Sequence, residues 1–245
     1  MPDSAFAYSG SELDVFAAAA NWRSYWGDQV HPFLGRRVLE VGAGIGSVTR
    51  TLCHAGVEHW VALEPDAGMA GHLARITADG FPAPVSSRHG TVESLDAAER
   101  FDSVLYIDVL EHIEDDGAEL RRVAAHVDPG GHIVVLSPAH QYLYTPFDAA
   151  IGHHRRYDRA SLRRLEPPGC SLVTMRYLDS VGMLASLGNR LLLRSAHPKP
   201  AQITLWDRFM VPLSRHLDPL LGYHCGKSLI AVWRKDGPAE GAAAE

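Results

Sequence analysis

Residues Val38 to Gly46 read Val-Leu-Glu-Val-Gly-Ala-Gly-Ile-Gly. The stretch predicts a buried strand that runs into a glycine turn and then a helix. Val61 to Asp66 read Val-Ala-Leu-Glu-Pro-Asp, a second buried strand ending in a carboxylate about twenty residues further on, where an acid can accept hydrogen bonds from two ribose hydroxyls. Open α/β sheets bind ligands outside the carboxyl ends of their strands, where the strand order reverses. Glycines there let backbone N–H groups approach a ligand closely. The pattern also fits a tight strand–helix turn that holds no ligand. Dinucleotide enzymes place glycines at the first, third and sixth positions of this turn. Here Gly42, Gly44 and Gly46 stand at the first, third and fifth, with Ser47 at the sixth, which argues against a nicotinamide oxidoreductase. Glu40 lies inside the strand, where a carboxylate is costly unless it meets a donor or a cation.

The chain has 245 residues, within the range of a single α/β domain, and is 46% hydrophobic, enough for a full core. A formal net charge of -6 weighs against a nucleic-acid partner. Cys53, Cys170 and Cys225 are too scattered for a disulfide framework or a zinc knuckle, so a reducing cytoplasmic setting is expected. Met1 to Asp14 does not read as a signal peptide, and no stretch approaches the roughly eighteen apolar residues of a membrane span. The most apolar segment, Val181 to Leu193, is broken by Arg190. Residues 1–236 read as one domain, monomeric or homodimeric, and 237–245 as a disordered tail.

Along the chain, Phe16 to Trp26 predicts a helix stopped by His31-Pro32. Strands are predicted at Arg37–Val41, Trp60–Leu63, Val85–His89, Phe101–Ile107, His132–Leu136, Ser171–Leu178 and Ser228–Arg234. Helices are predicted at Ile45–His54, Asp66–Thr77 with Asp66 at the N-cap, and Asp115–Val127. Asp128-Pro129-Gly130-Gly131 reads as a turn. The alternation predicts an α/β fold, a doubly wound, mostly parallel seven-stranded sheet. Residues 178–227 separate the last two strands by roughly fifty residues, far beyond a hairpin loop. Apolar spacing predicts two helices there, Val181–Arg194 and Leu205–Leu217, broken at Pro198 and Pro200. This helical insertion is a packed appendage, a lid or a dimer surface.

The pattern Glu-x-Gly-x-Gly-x-Gly resembles the first motif of the class I methyltransferases that use S-adenosylmethionine. Phe101-Asp102-Ser103-Val104 with Ile107-Asp108-Val109-Leu110-Glu111-His112-Ile113 resembles their fourth-strand motif, and Asp128 to Gly131 the turn before their fifth strand. The resemblance covers about Asn21 to Pro138 and the closing strand. It implies that Glu40, Gly42, Gly44 and Gly46 line the methionine and ribose portion of S-adenosylmethionine and that Glu64 binds the ribose diol. Pro65, Asp66 and Met69 would lie beside ribose and adenine, and Asp108 near the methionine moiety. Where the family often has an acid for the adenine amino group, Gly90 is followed by Thr91, leaving the Val92 backbone or the Glu93 carboxylate as the contact. The product would be S-adenosylhomocysteine.

Methyl transfer from a sulfonium leaves a neutral thioether, so no acid is needed; alignment and exclusion of water are. Aromatic faces can stabilise the cation, with Tyr8, Trp22, Tyr25 and Trp26 as candidates and core packing as their other role. A hydroxyl acceptor needs a base, for which His112, His140 and Tyr142 are the candidates; His112 could equally serve only to cap its turn. Gly152-His153-His154-Arg155-Arg156-Tyr157 resembles a segment in a bacterial branch of small-molecule methyltransferases. Tyr144, His153, His154, Arg155, Arg156 and Tyr157 are candidate substrate contacts, the arginines as a clamp on an anionic group. Alternatively, Arg155 or Arg156 pairs with Asp148 or Asp158 to brace the loop. Adjacent histidines point apart and no matched carboxylate motif is evident, so no metal is expected. The expected function is methyl transfer to a small molecule in natural-product, glycan or lipid-intermediate biosynthesis. The alternative is a scaffold that binds the cofactor and runs another reaction, such as a cyclisation.

Overall fold

The computed structural model describes residues 18–78, 80–188 and 200–237. Its strands are β1 (Arg37–Val41), β2 (His59–Glu64), β3 (Val85–His89), β4 (Phe101–Ile107), β5 (Val127–Pro138), β6 (Cys170–Leu178) and β7 (Ser228–Lys235). They form one sheet of order β3-β2-β1-β4-β5-β7-β6. The first five pair in parallel, and β7 runs antiparallel to both β5 and β6. The α/β class and doubly wound sheet read from the sequence are those observed. The strand order reverses between β1 and β4, which places a crevice at their carboxyl ends.

Parallel strands covered on both faces need apolar side chains on both, and β4 is an example. Leu105 and Ile107 join a core with Val38, Trp60 and Val134 on one face. Val104 and Tyr106 join Leu39, Val61 and Trp233 on the other. β5 begins earlier than predicted. Val127 pairs with Phe101 and His132 with Ser103, so Asp128 to Gly131 form an irregularity inside the strand. Gly130 turns it with φ +84, making the predicted turn a bulge.

The helices are α1 (Ala20–Val30), α2 (Ser47–Leu52), α3 (Ala67–Ala78), α4 (Asp116–Val123), α5 (Pro146–Ala150), α6 (Arg159–Arg163), α7 (Ser180–Gly188), α8 (Pro200–Leu205) and α9 (Val211–Leu220). α1 runs past Trp26 to Val30, because Pro32 sits in the first turn of a following 3-10 helix, where its missing N–H costs nothing. α2 is shorter than predicted because Ile45 belongs to the glycine turn and Cys53 is extended. Asp66 caps α3 as expected, accepting from Met69 N at 2.9 Å. α8 and α9 are joined by the π-helical turn Trp206–Met210. Phe16, the end of the predicted Val181–Arg194 helix, the break at Pro198 and residues 238–245 lie outside the described residues. No helix among the described residues is long and apolar enough to cross a membrane.

Three buried carboxylates fasten the insertion to the sheet and to α1. Asp218 accepts from Tyr25 Oη (2.7 Å), Asp179 N (2.6 Å), Ser180 N (3.1 Å) and the Ser180 hydroxyl. Asp179 accepts from Trp206 Nε1 (2.7 Å), Ser214 Oγ (2.7 Å) and Gly182 N (3.0 Å). Asp207 accepts from Trp22 N (2.9 Å) and Asn21 Nδ2 (3.1 Å). Trp22, Tyr25 and Trp26 are accordingly core residues, packed with Ile203, Trp206 and Val211, and none is an open face for a cation. Tyr8 lies outside the described residues. Asp218→Ala strands several buried donors, each worth about 1–3 kcal/mol. A loss of about 3 kcal/mol, lowering Tm by roughly 6–12 °C at this chain length, is the expected result in a calorimetric melt.

Candidate active site

The glycine turn after β1 is built from left-handed backbone. Gly42, Gly44 and Gly46 have φ of +68, +55 and +79, a region that L side chains avoid. At two of the three, space is short as well: a Cβ on Gly42 would stand 2.7 Å from Val109 Cγ2, and one on Gly46 2.8 Å from Ile76 Cδ1. The turn is pinned to β2, with Gly42 N and Ala43 N donating to Leu63 O at 2.8 and 3.0 Å.

Glu40 lies 2% exposed beneath this turn. Its Oε2 accepts from the Thr49 hydroxyl and from Trp60 Nε1 (2.8 Å), while Oε1 has no partner. Burial pushes its pKa up to about 7 against the pull of those two donors and of the Thr49 backbone N–H. One orphaned carboxylate oxygen under a glycine turn fits a ligand that brings an ammonium group. Glu64, at the tip of β2, accepts from Gly44 N at 2.7 Å and Asp66 N at 2.9 Å. Burial raises its pKa while these amides oppose the rise. Pro65 and Met69 flank it, half-buried. At the β3 tip Glu93 is exposed and ion-paired with Arg122 at 2.7 Å, the Val92 side chain is buried in the core, which leaves only its backbone for a ligand, and Thr91 is exposed beside them.

The tip of β4 carries the ionisable cluster. Asp108 is exposed to the crevice with φ +54. Protein packed around the carboxyl raises it to about 6, with His153 and Lys227 pulling the other way. Glu111 is 0% exposed and neither of its carboxylate oxygens makes a well-formed hydrogen bond, the Ser137 hydroxyl and a backbone N–H lying only near enough to soften the rise in its pKa. Burial and then the Asp108 charge hold Glu111 far above the usual carboxylate range. His112 is pushed down to about 4, first by burial and then by His153, so it is neutral at neutral pH and a weaker base than a free imidazole.

The loop after β5 folds back on this cluster. His153 Nε2 lies 3.9 Å from Glu111 Oε1, and its ring meets that of His112 edge-on at 4.6 Å. His153 Nδ1 is 3.1 Å from Asp148 Oδ1. Arg156 grips Asp148 from Nε (2.9 Å) and from its second amino group (3.0 Å). Burial alone would raise Asp148; the His153 hydrogen bond, the Arg156 charge and Thr145 outweigh it and hold the carboxyl at about 2.

Several predicted substrate contacts are therefore braces. Arg156 is committed to Asp148. Arg155 donates to Asp116 Oδ2 and Glu114 O, both at 2.7 Å. Tyr157 is buried and donates to Asp116 Oδ2 at 2.8 Å. Tyr144 donates to His153 O at 2.6 Å. His154 points to solvent, only its backbone N–H reaching Glu111 O. His140 is sandwiched between Tyr142 and Tyr177, at 4.9 and 4.7 Å, with Nε2 3.0 Å from Gly226 O. Neither it nor the 51% exposed Tyr142 joins the β4 cluster. The carboxylate that the sequence reading found missing beside the histidines is Glu111, supplied by the fold. Lys227 was also missed. Its ammonium lies 3.7 Å over the Trp206 ring and 3.5 Å from Asp179, near enough to Asp108 for each charge to act on the other. Its place just before the closing strand was the available signal.

The depressed Asp148 pKa fixes a sign. Ionised Asp148 adds stability above pH ~4 that is lost as pH falls toward 2. Between pH 5 and pH 2, wild type should lose about 2 kcal/mol more stability than Asp148→Asn, read from urea unfolding at both pH values.

A methyltransferase-domain family profile matches residues 16–180. The ubiquinone biosynthesis O-methyltransferase of Azorhizobium caulinodans is 38% identical over 107 residues, 43% of this chain and 42% of that protein. The chain thus spans about two-fifths of the length of such curated relatives. An S-adenosylmethionine-dependent methyltransferase structure from Mesorhizobium loti is 18% identical with a TM-score of 0.56, covering 90% of this chain and 99% of that one. The YcgJ protein from Bacillus subtilis is 15% identical with a TM-score of 0.59, covering 87% and 99%. Those two structures establish likeness of fold. With the family profile spanning the glycine turn, the β4 cluster and the loop behind it, the chain belongs to the class I S-adenosylmethionine-dependent methyltransferases.

Proposed function

We propose that this chain transfers a methyl group from S-adenosylmethionine to a hydroxyl oxygen of a small-molecule acceptor. The observation that carries the cofactor is the orphaned Glu40 oxygen beneath a turn of three left-handed glycines. The choice of oxygen follows the relatives named ubiquinone biosynthesis O-methyltransferase. Bound S-adenosylmethionine supplies an electrophilic methyl on a sulfonium, and its departure needs no acid.

Glu40 would meet the methionine ammonium, the glycine turn would leave room for the ribose, and Glu64 would turn from Gly44 N to the ribose hydroxyls. Asp108, exposed at the tip of β4, is placed to take the hydroxyl proton. Lys227 would present a cation to an anionic acceptor. The braced loop after β5 and the anchored insertion hold this edge rigid, which favours in-line approach.

Calorimetric titration should show S-adenosylhomocysteine binding, weakened by about tenfold or more in Glu64→Gln through lost ribose hydrogen bonds. Incubation with S-adenosylmethionine and a panel of phenols and catechols should release S-adenosylhomocysteine and a product heavier by one methylene. An isomerised product with no homocysteine derivative would replace methyl transfer by cyclisation, and wild-type affinity in Glu64→Gln would end the ribose assignment.

A further inference from the structure

We propose that Glu111, His112 and His153 form a divalent-metal site beside the acceptor position. One potential ligand atom from each of the three lies within 4.8 Å of the other two. Two ligand atoms on a tetrahedral zinc stand roughly 3.4 Å apart, so small side-chain rotations close the set. Two imidazoles and one carboxylate suit zinc, manganese or ferrous iron, and three protein ligands leave at least one position open, the arrangement of a site that takes substrate.

Two independent features point to a cation there. Glu111 is 0% exposed with neither carboxylate oxygen in a well-formed hydrogen bond and only the Ser137 hydroxyl and a backbone N–H near it, a costly state without a compensating charge. His153, whose side chain is 8% exposed, is already oriented as ligating histidines are. Its Nδ1 is bonded to the Asp148 carboxylate, which turns Nε2 toward Glu111, and such a carboxylate behind the ring fixes the tautomer and strengthens the ligand. Asp148 is itself locked by Arg156 and by the Thr145 N–H and hydroxyl, both at 2.7 Å. The unusual His-His-Arg-Arg string thus acquires a purpose: one histidine binds, one arginine holds the carboxylate that aims it, and the other ties the loop to α4 through Asp116.

Resting on the methyl-transfer reading, the metal would take the acceptor hydroxyl oxygen in its open position and lower its pKa. The proton passes to Asp108. The oxygen then forms its bond to the methyl carbon while the carbon–sulfur bond breaks, its electron pair staying on the neutral thioether. A vicinal diol such as a catechol would bind through both oxygens.

The test uses the full chain, stripped with chelator. Titration with Zn2+, and separately Mn2+, should show one equivalent bound. Glu111→Gln and His153→Ala should each weaken binding at least tenfold, Asp148→Asn about tenfold, and His154→Ala, whose exposed ring neighbours the site, should not. The absorption of bound Co2+ should report nitrogen ligation in wild type and change in His153→Ala. Affinity for S-adenosylhomocysteine, measured without metal, should stay within twofold in every variant, which shows that each is folded. Equal zinc affinity in wild type, Glu111→Gln and His153→Ala, or a Co2+ spectrum like that of the aqueous ion, would overturn the site. Metal binding without S-adenosylhomocysteine binding would leave the site standing and remove only the methyl-transfer reading.

Discussion

The left-handed backbone at Gly42, Gly44 and Gly46 is the constraint on which the rest depends. It lets β1 stop at the point of strand-order reversal and turn into α2 without filling the crevice that opens there. Val109 and Ile76 close against the turn so tightly that a single methyl group would collide. Because Gly42 and Ala43 donate to β2, the same turn sets the position of Glu64. The floor of the crevice thus follows from three residues that lack side chains.

Around that floor the chain buries carboxylates in two manners. Asp148, Asp179 and Asp218 are satisfied by several donors each and act as joints. Glu40 and Glu111 keep oxygens with no partner. The division matters because a buried polar group left unpaired works against folding. Joints stabilise and unpaired groups do not, so the unpaired ones mark where a ligand completes the protein. Both stand at the carboxyl edge of the sheet beside the reversal, Glu40 within β1 and Glu111 in the 3-10 turn that follows β4.

Much of the fold was legible from local pattern. β1 and β4 have the bounds that hydrophobic runs predict, and Glu40 stood out as an acid within one. What the sequence hid was partnership across distance. The sequence offers Arg155 and Arg156 either as an anion clamp or as braces on Asp148 or Asp158; Arg156 does brace Asp148, but the partner of Arg155, Asp116, is one that local pattern did not suggest. Tyr157 reads as a contact until its burial is known. Glu111 and His153 are forty-two positions apart, and nothing in either segment announces that β5 and its loop bring them together. The aromatics of α1 stay open between cation faces and core packing in the sequence, because the insertion that covers them lies far along the chain.

That last pairing has a consequence for how the molecule is made. Tyr25 and Asp218 are separated by 193 positions, and Trp22 meets Asp207 across 185. As the polypeptide leaves the ribosome, Trp22 and Tyr25 of α1 wait for partners that emerge 185 and 193 positions later. Closure of so long a loop is slow, and unburied rings in the interval invite self-association. Assembly of this domain therefore finishes where it started, with its earliest described helix among the last elements to find shelter.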